Sequence, residues 1–174
     1  MPMKNILLII FIVLCVVYDI KFRKVPNIFT FTATVAGVFL NIFLSGFSSF
    51  PSSLAGIAVG FVMFFPFYFL GGMGAGDVKF MMAAGSIIGY RSCFFSGLYG
   101  SVLAGIAAVI VLTVKGKLIK TMIKLYNSLL VFLVLRNRDS LKFEKEEIKP
   151  FAYTIFLSAG IILEFISRLG LFSF

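Results

Sequence analysis

The chain contains no histidine and no tryptophan, and it carries only two cysteines and seven acidic residues in 174 positions. Each scarcity excludes something. Without histidine, a zinc site would have to be assembled from carboxylates and from Cys15 and Cys93, which stand in separate apolar runs and form no CxxC pair. No metal site and no cofactor is therefore expected, and the two thiols read as small packing residues. Charge is scarce as well: 13% of residues are charged against 60% hydrophobic, with a mean hydropathy of +1.08. That balance lies outside the range of soluble domains. The chain reads as one all-α integral membrane domain over residues 1–174, with no room for a separate soluble domain. Its net charge of +9 does not indicate nucleic acid, because no soluble module is present to carry a basic face. The lipid bilayer is the expected surrounding.

A crossing needs about 20 predominantly apolar helical residues. Apolar runs near 5–18, 27–44, 53–70, 77–90, 93–114 and 150–169 predict six transmembrane helices. The first run has a signal-peptide look but no small-x-small cleavage site after it, so it reads as a retained helix. The breaks have physical causes. Pro26 starts the second helix, serines around Pro51 make an uncharged turn, and the glycines of 71–76 oppose a stable helix. Residues 115–149 form one long basic loop, in which 118–135 reads as an interfacial amphipathic helix in preference to a seventh crossing.

Orientation follows from the lysines and arginines. With both termini outside, thirteen of the sixteen fall on the cytoplasmic side: Lys21, Arg23, Lys24, Lys79 and nine in 115–149. Lys4, Arg91 and Arg168 remain outside. This is the positive-inside arrangement.

A carboxylate in a membrane span is expensive and by default suggests function. Asp139, Glu144, Glu146 and Glu147 lie in the basic loop, and Glu164 stands four residues before Arg168, where an i,i+4 ion pair accounts for it. Asp19 and Asp77 are left. Both end an apolar run at a cytoplasmic loop, and runs of fourteen residues rise only about 21 Å against a core of about 30 Å, drawing both carboxylates below the surface. Two carboxylates brought together out of bulk water share one proton; the ionised partner can take a proton from water while the other polarises a peptide carbonyl. Gly74 and Gly76 beside Asp77 let another backbone come close, as an extended substrate strand requires. The competing structural reading pairs Asp19 with Arg23 and makes Asp77 a helix N-terminal residue. A rival functional reading is a proton-coupled transporter, which calls for carboxylates near the midplane and for repeat symmetry, neither of which the sequence displays. A third reading is a non-catalytic membrane subunit of a secretion or pilus system.

The run Asp19-Ile20-Lys21-Phe22-Arg23-Lys24-Val25-Pro26-Asn27 resembles the first-aspartate motif of the type IV prepilin peptidases, and Gly74-Ala75-Gly76-Asp77-Val78-Lys79 resembles their GxGD motif, shared with presenilin. Lys149-Pro150-Phe151-Ala152-Tyr153 is a weaker match to the start of the family's last helix. The resemblance implies that Asp19 and Asp77 are the catalytic pair. It also implies prepilin-like or pseudopilin membrane substrates, whose basic leader is removed at the cytoplasmic face of a bacterial or archaeal cell membrane. Lys79 either tunes the acidity of Asp77 or snorkels to the interface. With no CxxC motif, the chain looks like the short, peptidase-only branch without N-methyltransferase activity.

The orientation is checked with single cysteines at Ser48 and Asn137 in a chain carrying Cys15→Ala and Cys93→Ala. An impermeant thiol reagent applied outside should label position 48 and spare 137; the reverse pattern would overturn it.

Overall fold

The computed structural model describes residues 2–23, 25–69, 72–114, 116, 123 and 153–168. These form an all-helical bundle: α1 (Pro2–Phe22), α2 (Asn27–Ser45), a 3-10 turn (Phe47–Ser49), α3 (Phe50–Phe69), α4 (Ala75–Ile88), α5 (Tyr90–Val114) and α6 (Tyr153–Arg168). Four helical stretches are long and apolar enough to cross a membrane: Met3–Phe22, Asn27–Ser45, Phe47–Phe69 and Tyr90–Val114. The helices α4 and α6 are shorter, with 14 and 16 residues. Apart from Gly116 and Ile123, the stretch expected to form the basic loop and its interfacial helix lies outside the described residues.

The helix boundaries follow local chemistry. Pro26 adopts φ −64° and ψ 136° directly ahead of α2, the extended geometry that proline favours before a first turn. Gly46 and Gly89, with φ of 77° and 82°, end α2 and α4 in a backbone region that side chains avoid. Two expectations need correction. The first helix does not stop near residue 18: α1 has 21 residues, rises about 31 Å and spans unaided. Ile20 and Phe22 continue its apolar character past Asp19, and it ends only where Arg23 turns to φ 51°. Asp19 therefore sits inside the last turn, not at the tip of a short helix. The glycine-rich stretch also yields to helix sooner than expected, since Ala75 and Gly76 already belong to α4.

The centre of the bundle is α4, with nine of its 14 residues buried. It packs against all five other helices. Small residues make this possible. A Cβ at Gly56 on α3 would strike the Gly85 carbonyl of α4, and one at Gly60 would come within 2.7 Å of the Met81 carbonyl oxygen. Such close backbone approach is how helices associate where lipid removes the hydrophobic drive. Asn41 of α2 adds polar bonds, donating to Ser53 Oγ at 2.8 Å, Ser86 O at 2.8 Å and Ile87 O at 3.2 Å. Cys15 and Cys93 are fully buried packing residues. Outward faces carry Phe31, Phe39, Phe43, Val102 and Ile110, the apolar surface a lipid-facing bundle needs.

Long-range bonds sort residues to the two ends of the bundle. Lys4 bonds Ser45 at one end, where Arg168 also pairs with Glu164 and donates to Ser92. The i,i+4 pair expected for Glu164 is thus present within α6, and the Arg168–Ser92 bond ties α6 to the start of α5. The opposite end gathers the close of α1 and the starts of α2, α4 and α6.

Candidate active site

Four helix termini bring polar groups together at that second end. The last turn of α1 presents Asp19, and the first turn of α4 presents Asp77, from positions 58 apart in sequence. Both are nearly enclosed, with 6% and 8% of their surface exposed. They lie close enough for the charge of Asp19 to act on the Asp77 carboxyl.

The two carboxyls differ in their partners. Asp77 Oδ2 accepts the Gly74 backbone N–H at 3.3 Å, a contact from the third helical residue back to the residue before the helix. This fastens the carboxyl over the start of α4, where unpaired backbone donors favour an acidic group. Asp77 Oδ1 accepts the hydroxyl of Thr154 at 2.8 Å, and the Thr154 backbone N–H is directed at the same group. The first turn of α6 thus aims its donors at α4. Asp19 is less supported. Arg23, one turn on, supplies a nearby positive charge, while Asp19 Oδ2 is buried with no hydrogen-bond partner among the described residues.

The glycines act locally. A Cβ at Gly74 would stand 3.1 Å from Asp77 Oδ2, so its absence makes room for the carboxylate. A Cβ at Gly76 would stand 3.2 Å from Val25 Cβ and 3.4 Å from Val25 N. The backbone space that the sequence suggests for a substrate strand is bounded at Gly76 by the chain's own α1–α2 connection. One hydrogen bond reinforces this contact: Lys79 Nζ donates to Asn27 Oδ1 at 2.9 Å. Lys79 thereby joins α4 to the start of α2, and the carboxyl of Asp77 takes its described hydrogen bonds from Gly74 and Thr154. The two sequence motifs are consequently one packed unit, with Val25 against Gly76 and Asn27 against Lys79.

Beside this unit lies an apolar cavity of about 320 Å³, lined by Phe64, Phe67, Met73, Ala104, Tyr153 and Leu157 among others. Its lining includes Tyr153 and Met73, which adjoin Thr154 and Gly74 in the chain.

Thr154 is the residue that sequence reasoning missed. The resembling stretch at the start of the last helix ends at Tyr153, one position short. The only signal for Thr154 was a hydroxyl in the first turn of an apolar helix, which does not stand out where Ser158 follows. Asn41 was missed too, although a polar amide inside an apolar run marked it.

Comparison with family models gives a match to the type IV leader peptidase family over residues 6–110. Comparisons with curated proteins and with solved structures gave no match. The matched segment contains both aspartates, both glycines and Lys79, and ends before Thr154.

The close fit at Gly76 yields a graded expectation. Gly76→Ala requires Val25 to retreat by a few tenths of an ångström and should lower peptidase activity about tenfold, roughly 1.4 kcal/mol in the barrier. Gly76→Val, with two further methyls, should abolish it. Initial cleavage rates of purified variants with matched expression check this, and equal rates for Gly76→Ala and wild type would remove the packing role.

Proposed function

Since the chain belongs to the type IV leader peptidase family, we infer that it is a membrane-embedded aspartic endopeptidase that removes the basic leader from prepilin-like substrates. Asp19 and Asp77 are the catalytic pair in this reading. The observation that carries it is the meeting of these two enclosed carboxyls at one end of a membrane bundle, on helices the sequence separates by 58 positions.

The chemistry follows from two neighbouring carboxyls sharing one proton. The ionised member takes a proton from a water molecule as the oxygen attacks the scissile carbonyl carbon. The protonated member donates to the carbonyl oxygen as negative charge develops there. Collapse of the tetrahedral species breaks the C–N bond and returns a proton to the leaving amine. The peptide must be extended for this, because a helix hides its carbonyls in internal hydrogen bonds. The apolar cavity beside the pair is suited to an apolar substrate side chain next to the cut.

Six crossings with both ends outside put the pair at the cytoplasmic face, where thirteen of the sixteen basic residues gather. The short α4, about 21 Å long, begins below that surface and draws Asp77 with it. No cofactor is required, and the absence of a CxxC pair supports a peptidase without methyltransferase activity.

Cleavage of a synthetic peptide with a basic leader ahead of an apolar helix, by purified protein in detergent or liposomes, tests the reading. Asp19→Asn and Asp77→Asn each keep the side-chain shape but cannot share the proton. Each should abolish cutting with expression and membrane insertion unchanged. More than a few per cent of wild-type rate in either variant would sink the pair.

A further inference from the structure

Threonines on the other described helices satisfy their hydroxyls within their own helix. Thr32 bonds the Ile28 carbonyl at 2.6 Å, Thr34 the Thr30 carbonyl at 2.7 Å and Thr113 the Val109 carbonyl at 2.7 Å. This back-bonding is the ordinary fate of a hydroxyl in an apolar helix. Thr154 departs from it. Fully buried, it spends its proton 77 positions away on Asp77 Oδ1, at 2.8 Å, and the Asp19 carboxyl is near enough to feel the same hydroxyl.

We propose that Thr154 is the positioning residue of the carboxyl pair, its hydroxyl bridging Asp77 and Asp19 so that one proton serves both. The proposal rests on the reading of Asp19 and Asp77 as catalytic.

A hydroxyl offers one proton and two lone pairs. The proton goes to Asp77, which leaves the lone pairs to accept from Asp19 whenever Asp19 is protonated. The result is a chain in which Asp19 O–H donates to Thr154 Oγ and Thr154 Oγ–H donates to Asp77. Reversal moves the proton from Asp19 to Oγ and the hydroxyl proton from Oγ to Asp77. The hydroxyl regains what it gives, the total charge of the pair is unchanged, and no heavy atom has to travel. The other oxygen, Asp19 Oδ2, is buried and takes no hydrogen bond among the described residues, so the bridge does not compete with one.

The position of Thr154 in the fold suits this task. It stands in the first turn of α6, where its own backbone N–H has no partner within the helix and points at Asp77 as well. The hydroxyl bond, with the N–H facing the same way and the Gly74 N–H on the other oxygen, holds the carboxyl in one orientation. Because α6 packs against α1, α4 and α5, its first turn is held where the hydroxyl reaches Asp77. Its neighbour Tyr153 lines the apolar cavity, so an occupant there adjoins the bridge.

The test uses the full chain in liposomes with the same leader-bearing peptide. Thr154→Val removes the hydroxyl at nearly constant shape, Thr154→Ala removes it without placing a methyl group against Asp77, and Thr154→Ser restores it. Val and Ala should each lower kcat at least tenfold with KM within threefold, and Ser should stay within threefold of wild type on both. A residue that only packs predicts another pattern, with Ser no better than Ala. Activity of both Ala and Val within threefold of wild type, or Ser as slow as Ala, would overturn the proposal. If Val fails to fold, Ala and Ser decide. Asp19→Asn and Asp77→Asn in the same assay separate the two possible failures. Inactive Asn variants beside an active Thr154→Ala remove only the role of Thr154. Active Asn variants, or a wild type that does not cut, remove the catalytic pair and the bridge with it.

Discussion

Keeping two carboxyl groups out of water, close to one another, is the constraint to which the rest of this bundle answers. Each such group costs free energy when enclosed, and a second beside it raises the cost. The structure offsets it with donors from three helix termini. Gly74 N–H comes from the start of α4, Thr154 from the start of α6, and the charge of Arg23 from the end of α1. Helix termini are suited to this, because their first N–H groups lack partners within the helix. A site in mid-helix would have no such backbone donors to spend.

Holding those termini in register is the work of the packing. The central helix α4 is seated on α3 through near contact of backbones at Gly56, Gly60 and Gly85, and on α2 through the Ser86 and Ile87 side chains packed over Gly37, with Asn41 binding the far end. Its near end is pinned to the α1–α2 connection by Val25 and by the Lys79–Asn27 bond. The residues that resemble family motifs are therefore mechanical as well as chemical. Two of them carry acid groups, and several others fix where those groups stand.

Much of this could be read in advance and some could not. Six apolar runs located six helices, because an apolar stretch of helical length leaves few alternatives in a membrane. The pair Asp19 and Asp77 stood out because acidic residues are costly there and this chain has so few. The end of α1 is not legible from the apolar run that closes at Tyr18, because a terminal lysine such as Lys21 can reach the interface without ending the helix. Gly76 was recognised as a place of close approach, but its neighbour could not be named, since Val25 reaches it only through the α1–α2 turn. Thr154 was invisible for a related reason. A hydroxyl in an apolar helix is ordinary until tertiary structure shows where it points.

Convergence of residues 19 and 77 is the claim from which the rest follows, and cross-linking in native membranes measures it without any assumption about substrate. In a chain carrying Cys15→Ala and Cys93→Ala, the double variant Asp19→Cys and Asp77→Cys is treated with a short bis-methanethiosulfonate reagent. A second chain pairs Asp19→Cys with Ser86→Cys at the far end of α4 as the reference. Efficient intramolecular linkage of 19 to 77, with none between 19 and 86, is the predicted result. Failure of 19 and 77 to link, or equal linkage in both chains, would contradict the account.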